Sequence, residues 1–295
     1  MFTDYTDSLN GKFIHQIENL VEYKEFNFYY IIQNFGAVMS GSTDFYDCWI
    51  YEVKERWCVG FWISGNYLLN SKNLTQEDIE LINNRIGFHQ FKVDGFHFAG
   101  DTILIEKLSE INLDFTLEPF KERYFYKLTA LKLKTKFTTE VVIVADEDIQ
   151  EIAIQYQKYF EEEYNGSNNK DLQTLIEKVK SLKFRNLIYV LKEGKNVIGF
   201  CTIMSFLSDK PNMIGTIFID ENFRMNGNGK HLLSNVIEKI RNGHNDILLM
   251  TTKESFSSNK MVENVGFEKT YEHSDRIKTN ASNQAFLRSV QPVPF

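Results

Sequence analysis

One short stretch of this 295-residue chain has residue types and a spacing that could do chemistry. Residues 217–236 read IFIDENFRMNGNGKHLLSNV, which is an apolar run, a polar turn with two glycines, and the start of a helix. The turn offers no nucleophile, so it is predicted to bind a ligand rather than to react with one. Glycines let backbone N–H groups approach a ligand closely, and the first N–H groups of a helix are unpaired and favour an anion. The turn is therefore predicted to hold a pyrophosphate.

Two common phosphate-binding patterns do not fit this turn. A P-loop needs G-x-x-x-x-G-K-[ST], but Arg224 stands in place of the first glycine and His231 in place of the hydroxyl residue. A dinucleotide-binding turn needs G-x-G-x-x-G, and Leu232 occupies the position of its third glycine. Both interpretations are excluded.

The turn lies within a regular order of predicted elements. Apolar periodicity predicts a strand over 141–144, two helices, a hairpin that turns at 192–196, and a strand over 213–219. The glycine turn and its helix follow, then the buried strand ILLMTT, a short helix over 258–265 that ends at a glycine, and a further strand. This order indicates an α/β fold of the α+β kind, with a mixed sheet.

The pattern [RQ]-x-x-G-x-[GA], formed by Arg224, Gly227 and Gly229, resembles the GNAT superfamily of acetyl-CoA-dependent N-acyltransferases. The order of the elements is similar as well. The stretch SSNKMVENVGF is similar to a later motif of that family, in which a short helix ends in Gly-Phe, here Gly266-Phe267. The resemblance implies a GNAT fold in the C-terminal half and coenzyme A as the owner of the pyrophosphate.

The resemblance also implies roles for single residues. The strand before the turn would pair its open backbone with the pantetheine arm and polarise the thioester carbonyl with an N–H group, with Thr251 and Thr252 on the opposite wall. Lys230 fits a charge at the rim of the site or an ordinary helix residue. Asn259 either contacts the cofactor or caps the short helix. The cofactor-binding residues implied are Ile217, Phe218, Ile219, Arg224, Met225, Asn226, Gly227, Asn228, Gly229, Lys230 and Asn259.

The first half of the chain carries an echo of the second. WIYEVKERWCVGFWIS and LIYVLKEGKNVIGFCTIM share a strand, a charged turn and a strand with V/I-G-F. The first half has no match to the glycine turn. The arrangement of the two halves resembles that of tandem GNAT proteins, in which the N-terminal copy is degenerate. We therefore predict a degenerate GNAT-like domain with a mixed sheet over residues 1–132 and a GNAT acetyltransferase domain over 133–295. The three tryptophans of the first half are predicted to fill its core.

One position departs from the family pattern. Many GNAT enzymes place a tyrosine four residues before the motif glycine, where its hydroxyl protonates the leaving thiolate, and this chain has Val262 there. Either another group supplies the proton, with Tyr271 as a weak candidate, or the domain binds acyl-CoA without efficient turnover. The need for a base depends on the acceptor, since a lysine amine costs roughly 4–5 kcal/mol to be neutral at pH 7 and an α-amine only about 1. The sequence assigns no catalytic residue.

Composition limits the partners. A formal net charge of -7 counts against nucleic acid as the main ligand. The three cysteines (Cys48, Cys58 and Cys201) are scattered and predict neither a disulfide framework nor a metal site. No segment approaches the roughly 18 apolar residues that span a bilayer. These features predict a reduced, cytoplasmic protein that does not bind membranes.

The predicted function is an N-acyltransferase that moves acetyl from acetyl-CoA to a small-molecule or peptide amine by direct attack, without a metal. The alternative is a non-catalytic acyl-CoA-binding or sensing module, because Val262 replaces the usual tyrosine. A third possibility, an aminoacyl-tRNA donor, is opposed by the acidic charge and by the intact glycine turn. The pattern leaves the identity of the acceptor and the oligomeric state open.

Overall fold

Alternating apolar residues give the strands of the first half two buried faces. In β2 (Phe45–Val53) and β3 (Arg56–Ile63), successive side chains point to opposite sides of the sheet. Cys48 and Ile50 join one core while Trp49 and Tyr51 join the other. Helices cover both faces, as this pattern requires. The prediction that tryptophans fill the core is confirmed, since Trp49 and Trp57 are buried in the two clusters and Trp62 packs against the cluster that contains Trp49.

The structure is a computed structural model. It describes residues 1–9, 11–21, 27–91, 94–112, 116–132, 139–164, 169–204, 212–241 and 247–279. The chain divides into two units. The first contains residues 1–125, 252–254 and, among the described residues of its last segment, 271–279; the second contains residues 126–251 and 255–270. The predicted domain boundary between 132 and 133 lies at the edge of the described residues and stays a prediction.

In the first unit the sheet has the order β1-β2-β3-β4-β5-β12-β6, in which β12 is Phe267–Thr279. Its helices are α1 to α4, and all pairs of strands with a described register are antiparallel except β4 with β5. The elements are β1 (Phe2–Asp4), α1 (Gly11–Leu20), α2 (Tyr29–Met39), β2, β3, β4 (Asn66–Lys72), α3 (Gln76–Ile86), β5 (His97–Asp101), α4 (Thr102–Ile111) and β6 (Thr116–Leu128).

In the second unit the sheet has the order β11-β10-β9-β8-β7. Helices α5 and α6 bury their apolar residues against Val190, Phe200 and Phe218 of this sheet. The elements are β7 (Glu140–Ile143), α5 (Ile149–Tyr164), α6 (Leu172–Phe184), β8 (Ile188–Glu193), β9 (Asn196–Met204), β10 (Asn212–Ile219), α7 (Asn228–Ile240), β11 (Ile247–Thr252), α8 (Phe256–Val265) and β12 (Phe267–Thr279).

The two halves of the chain have the same order of described elements. Each reads strand, helix, helix, three strands, helix, strand, helix, strand. The predicted repeat is therefore confirmed at the level of topology. The residues of β12 from Tyr271 onward belong to the first unit, where they pair with β5 (His273 opposite Asp101, Ile277 opposite His97).

Candidate functional site

The second unit contains an opening between two parallel strands. The register of β10 with β11 runs from Asn212 opposite Ile247 to Ile214 opposite Leu249 and ends there. Both strands continue, β10 to Ile219 and β11 to Thr252. On its other edge, β10 remains paired with β9 as far as Ile219. The edge of β10 towards β11 is thus left open over its second half, where Ile217, Phe218 and Ile219 lie.

A β-bulge marks the point where the two strands separate. The register of β10 with β9 shifts between Ile214 and Ile217, at Gly215-Thr216. The N–H group of Thr216 donates to Oγ1 of Thr202 at 2.8 Å instead of to a ladder carbonyl. A Cβ on Gly215 would lie 2.8 Å from the same oxygen, so a side chain there would disturb this contact. A bulge bends its strand and increases the local twist, which turns the end of β10 away from β11.

Two tyrosines of α5 hold the bulge in place. The hydroxyl of Tyr156 is hydrogen-bonded to the side chains of Thr216 and Thr202, and that of Tyr159 is hydrogen-bonded to Thr216. Burial raises the pKa of Tyr156 to about 12, so the hydroxyl stays neutral and remains a donor at physiological pH. Sequence reasoning missed this network, although an isolated glycine inside an apolar strand is a signal for a bulge.

The contact at the bulge gives a testable prediction. Thr202→Val keeps the shape of a side chain that is 4% exposed, but removes the acceptor of the Thr216 N–H group. An unsatisfied buried donor costs about 1–3 kcal/mol, so the free energy of unfolding is expected to fall by that amount in urea titrations. Thr202→Ser retains the hydroxyl and is expected to cost less. Equal losses in the two variants would show that the methyl group, not the hydrogen bond, is responsible.

The glycine turn follows β10 and opens onto the first turn of α7. Gly227 is the N-cap residue with φ 80 and ψ 1, a left-handed conformation that glycine adopts without strain, and no side chain caps the helix. The first turn of α7 also carries no acidic residue. Met225, with φ 66, is left-handed too and its side chain is 94% exposed. The backbone N–H groups of Asn228, Gly229 and Lys230 are therefore available to an anion, as predicted for such a helix end.

Two residues, Asn228 and Gly229, pack against neighbouring elements. A Cβ on Gly229 would lie 2.8 Å from Sδ of Met261 and 3.7 Å from Cγ1 of Ile219. Gly229 therefore allows α7 to pack closely on α8 and β10, which is a different reason from the close approach of a phosphate. The side chain of Asn228 is buried and donates to the carbonyl of Phe223 at 2.9 Å. These two residues can offer a ligand only their backbone N–H groups.

Charged side chains tie the turn to α5. Arg224 donates from Nε to the carbonyl of Ile219 at 2.8 Å and from one terminal nitrogen to both carboxylate oxygens of Glu162 at 2.8 and 3.0 Å. Lys158, one helical turn before Glu162, lies 2.8 Å from Asp220. The hydrogen bond from Lys158 holds the pKa of Asp220 below its usual value. No sequence pattern indicated the contact between Arg224 and Glu162, which are 62 residues apart.

Asn259 lies inside α8, which begins at Phe256 with Ser255 as the N-cap residue. The interpretation of Asn259 as the helix cap is therefore wrong, because the helix starts four residues earlier than an N-cap at Asn259 requires. Its Oδ1 accepts a hydrogen bond from the hydroxyl of Thr251 near the end of β11. Asn259 thus links α8 to the end of β11, the strand that faces the open edge of β10. Val262, on the next turn of α8, is 1% exposed.

Tyr271, the weak candidate for a proton donor, belongs to the first unit. Its hydroxyl accepts a hydrogen bond from the amide of Asn70 at 3.2 Å, and its ring packs edge-on against Phe125. Burial raises the pKa of Tyr271 well above its usual value. Its described partners are those of a residue in a packed core.

The equivalent strands of the first unit are closed. The register of β4 with β5 continues to Leu69 opposite Gly100. A Cβ on Gly100 would lie 1.6 Å from the carbonyl oxygen of Leu69, so the two backbones touch there. One residue further, Asp101 is hydrogen-bonded to Ser71. The opening of the second unit therefore has no counterpart in the pairing of these strands.

The helix that follows β4 is capped by its own side chains. Thr75 accepts from the N–H group of Asp78, whose carboxylate accepts in turn from the N–H group of Thr75 at 2.8 Å. Burial acts to raise the pKa of Asp78, but hydrogen bonds from Tyr51 and Thr75 lower it below its usual value. The carboxylate of Asp78 thus occupies the N-terminal end of α3, whereas the N-terminal end of α7 has no side-chain cap. A carboxylate in this position would repel a phosphate.

The described residues offer neither a metal site nor a membrane-spanning helix. No group of three or more His, Cys, Asp or Glu residues in this part of the chain is placed to hold a metal ion. None of the described helices is long and apolar enough to cross a membrane.

Comparison with known proteins indicates one family and one kind of fold. Residues 151–281 match the acetyltransferase (GNAT) domain family. No curated protein matches the sequence. A GNAT-family acetyltransferase from Colwellia psychrerythraea is similar in structure, with a TM-score of 0.57 and 12% identity, over 94% of this chain and 99% of that one. A tandem GNAT protein from the clavulanic acid biosynthesis pathway is similar with a TM-score of 0.50 and 8% identity, over 95% of this chain and 98% of that one.

These matches confirm two predictions. The family match covers the glycine turn, both strands of the opening and α8, which confirms the resemblance drawn from that turn. The structural likenesses extend over nearly the whole chain and show a mixed α/β fold of the same kind in both. At such low identity they concern the fold alone.

Proposed function

We propose that the protein is an acetyl-CoA-dependent N-acetyltransferase, because residues 151–281 match the acetyltransferase (GNAT) domain family. Such a domain supports acyl transfer in general. The finer proposal is that acetyl passes from acetyl-CoA to a small-molecule or peptide amine by direct attack of the amine.

One observation carries the proposal. The open edge of β10 ends at Ile219, and the uncapped turn follows within the same stretch of chain, with Gly227 at the helix end. A ligand with a long amide-containing arm and a pyrophosphate would use both features at once. Amides of the arm would pair with the backbone of Ile217–Ile219, and the pyrophosphate would accept from the N–H groups at the start of α7. Charge-assisted bonds of this type contribute about 1.5–3 kcal/mol each.

The residues that would hold the cofactor fall into three groups. Ile217, Phe218 and Ile219 offer backbone groups, and Asn259 borders the opposite wall beside Thr251. The turn and first helical residues (Arg224, Met225, Asn226, Gly227, Asn228, Gly229 and Lys230) would lie around the phosphates. When bound, the cofactor supplies an activated acetyl thioester.

The chain's own part in the reaction is to position and polarise. A backbone N–H group on the open edge of β10 would donate to the carbonyl oxygen as negative charge develops there. Val262 is a buried hydrocarbon, so it gives no proton to the leaving thiolate. An acceptor amine of low pKa, which is neutral near pH 7, needs the least additional help.

The test combines binding with turnover. Calorimetric titration is expected to give one bound acetyl-CoA per chain, and thiol release is expected with at least one amine from a panel of polyamines, amino acids, aminoglycosides and peptides. Absence of acetyl-CoA binding would overturn the proposal. Inorganic pyrophosphate and acetate serve as controls, since neither spans the strand and the turn.

The alternative function is a non-catalytic acyl-CoA-binding module. It is motivated by Val262, which is 1% exposed at the position where a tyrosine is expected. Tight binding of acetyl-CoA without acetyl transfer to any amine would favour this alternative. Gain of activity in a Val262→Tyr variant would then show that the missing hydroxyl is the cause.

A further inference from the structure

Arg224 makes contacts with three residues of β10 and α5. Its Nε donates to the last carbonyl of β10, that of Ile219, and its terminal nitrogen donates to Glu162 on α5. The guanidinium also lies over the ring of Phe218, 5.3 Å from the ring centre. A planar guanidinium with this many directed contacts has a fixed orientation. Arg224 thus joins the end of β10, the turn and α5.

A second ion pair repeats this arrangement on the same face of α5. Lys158 and Glu162 are four residues apart and lie one helical turn from each other. Lys158 contacts Asp220 at the start of the turn, and Glu162 contacts Arg224 at its middle. The charges alternate in sign, so an exchange of partners is unfavourable. Both contacts fix the turn in one position relative to α5.

We infer that Arg224 is a positioning residue, which holds the turn and the end of β10 in their binding geometry, and is not a ligand of the phosphates. This inference rests on the proposed function. The carboxylate of Glu162 neutralises the guanidinium and would itself repel a phosphate brought close to it. The side chain of Arg224 then binds no phosphate oxygen, and it sets the direction of the backbone N–H groups that do.

The two possible roles of Arg224 predict opposite effects of Glu162→Gln. If Arg224 positions the turn, loss of the carboxylate loosens it and the Kd of acetyl-CoA rises by roughly three- to fivefold, the range expected for an exposed ion pair. If Arg224 contacts the phosphates, Glu162 competes with them, and the same variant binds acetyl-CoA more tightly. Calorimetry on the full-length protein measures the sign directly.

Two further variants complete the experiment. Arg224→Gln is expected to raise the Kd of acetyl-CoA to a similar extent. The double variant is expected to raise the Kd no more than the single variant with the larger effect, because both substitutions remove the same contact. Glu161→Gln is the matched control, since it removes the same charge from the neighbouring exposed position. It is expected to leave the Kd unchanged.

Kinetics separate positioning of the cofactor from a general loss of structure. Glu162→Gln is expected to raise KM for acetyl-CoA with kcat and the melting temperature unchanged. Tighter or unchanged binding by Glu162→Gln, with normal binding by the wild type, would overturn the inference and leave the proposed function standing. Failure of the wild type to bind acetyl-CoA would overturn both.

Discussion

Gly227→Val is expected to weaken acetyl-CoA binding by about tenfold or more, with little change in the fold of the second unit. Gly227 has φ 80 at the N-cap of α7. An L-residue in the left-handed region costs about 1–2 kcal/mol, and a β-branched residue is the least suited to it. The free turn of the variant would relax away from this conformation, and binding would have to restore it. Calorimetric Kd values for the two proteins measure the loss.

The control for this prediction is Gly194→Val. Gly194 lies between β8 and β9 with φ +62 and open space around it, so valine there imposes similar backbone strain far along the chain from the turn. It is expected to lower the melting temperature as much as Gly227→Val does, with unchanged acetyl-CoA affinity. Equal losses of affinity in the two variants would refute the specific role of the glycine turn.

The parts of the site that were predictable are those that lie within one segment. Arg224, Gly227 and Gly229 are close in the sequence and follow an apolar strand, so both the turn and the helix after it could be predicted. The repeat was visible in the two similar hairpins. In each case the pattern depends on residues a few positions apart, whose geometry is decided by local backbone preferences.

What could not be predicted depends on contacts between distant segments. Glu162 is 62 residues from Arg224, and Met261, which explains Gly229, lies on another helix. The bulge requires a strand, its neighbour and two tyrosines of α5 together. Residues 271–279 belong to the first unit although they follow the second, an exchange that a contiguous domain prediction cannot express.

The boundary error at α8 has a local cause. Ser255, Ser257, Ser258 and Asn259 are all suitable N-cap residues, so the sequence offers several starting points for one helix. The structure uses Ser255, which places Asn259 one turn later, against Thr251. The residue expected at a helix end thus becomes a support for β11.

The closed strands of the first unit lead to the second large expected effect, that of Gly100→Ala on stability. The added Cβ would lie 1.6 Å from the carbonyl oxygen of Leu69, and Gly100 has φ +155. Since a backbone atom cannot move aside as a flexible side chain can, β4 and β5 must separate. Overpacking of this severity is expected to lower the free energy of unfolding by about 3 kcal/mol, measured by urea or thermal unfolding.

Gly65→Ala separates the clash from backbone strain. Gly65 lies between β3 and β4 with φ +74 and nothing within 4 Å of an added Cβ, so only the strain remains, about 1 kcal/mol. A loss in Gly100→Ala no larger than in Gly65→Ala would show that β4 and β5 can separate at little cost. The first unit would then be able to open as the second does. A loss several times larger would mean that the close contact at Gly100 keeps β4 and β5 paired in the first unit. Together with one acetyl-CoA bound per wild-type chain, this result would leave the second unit as the binding unit.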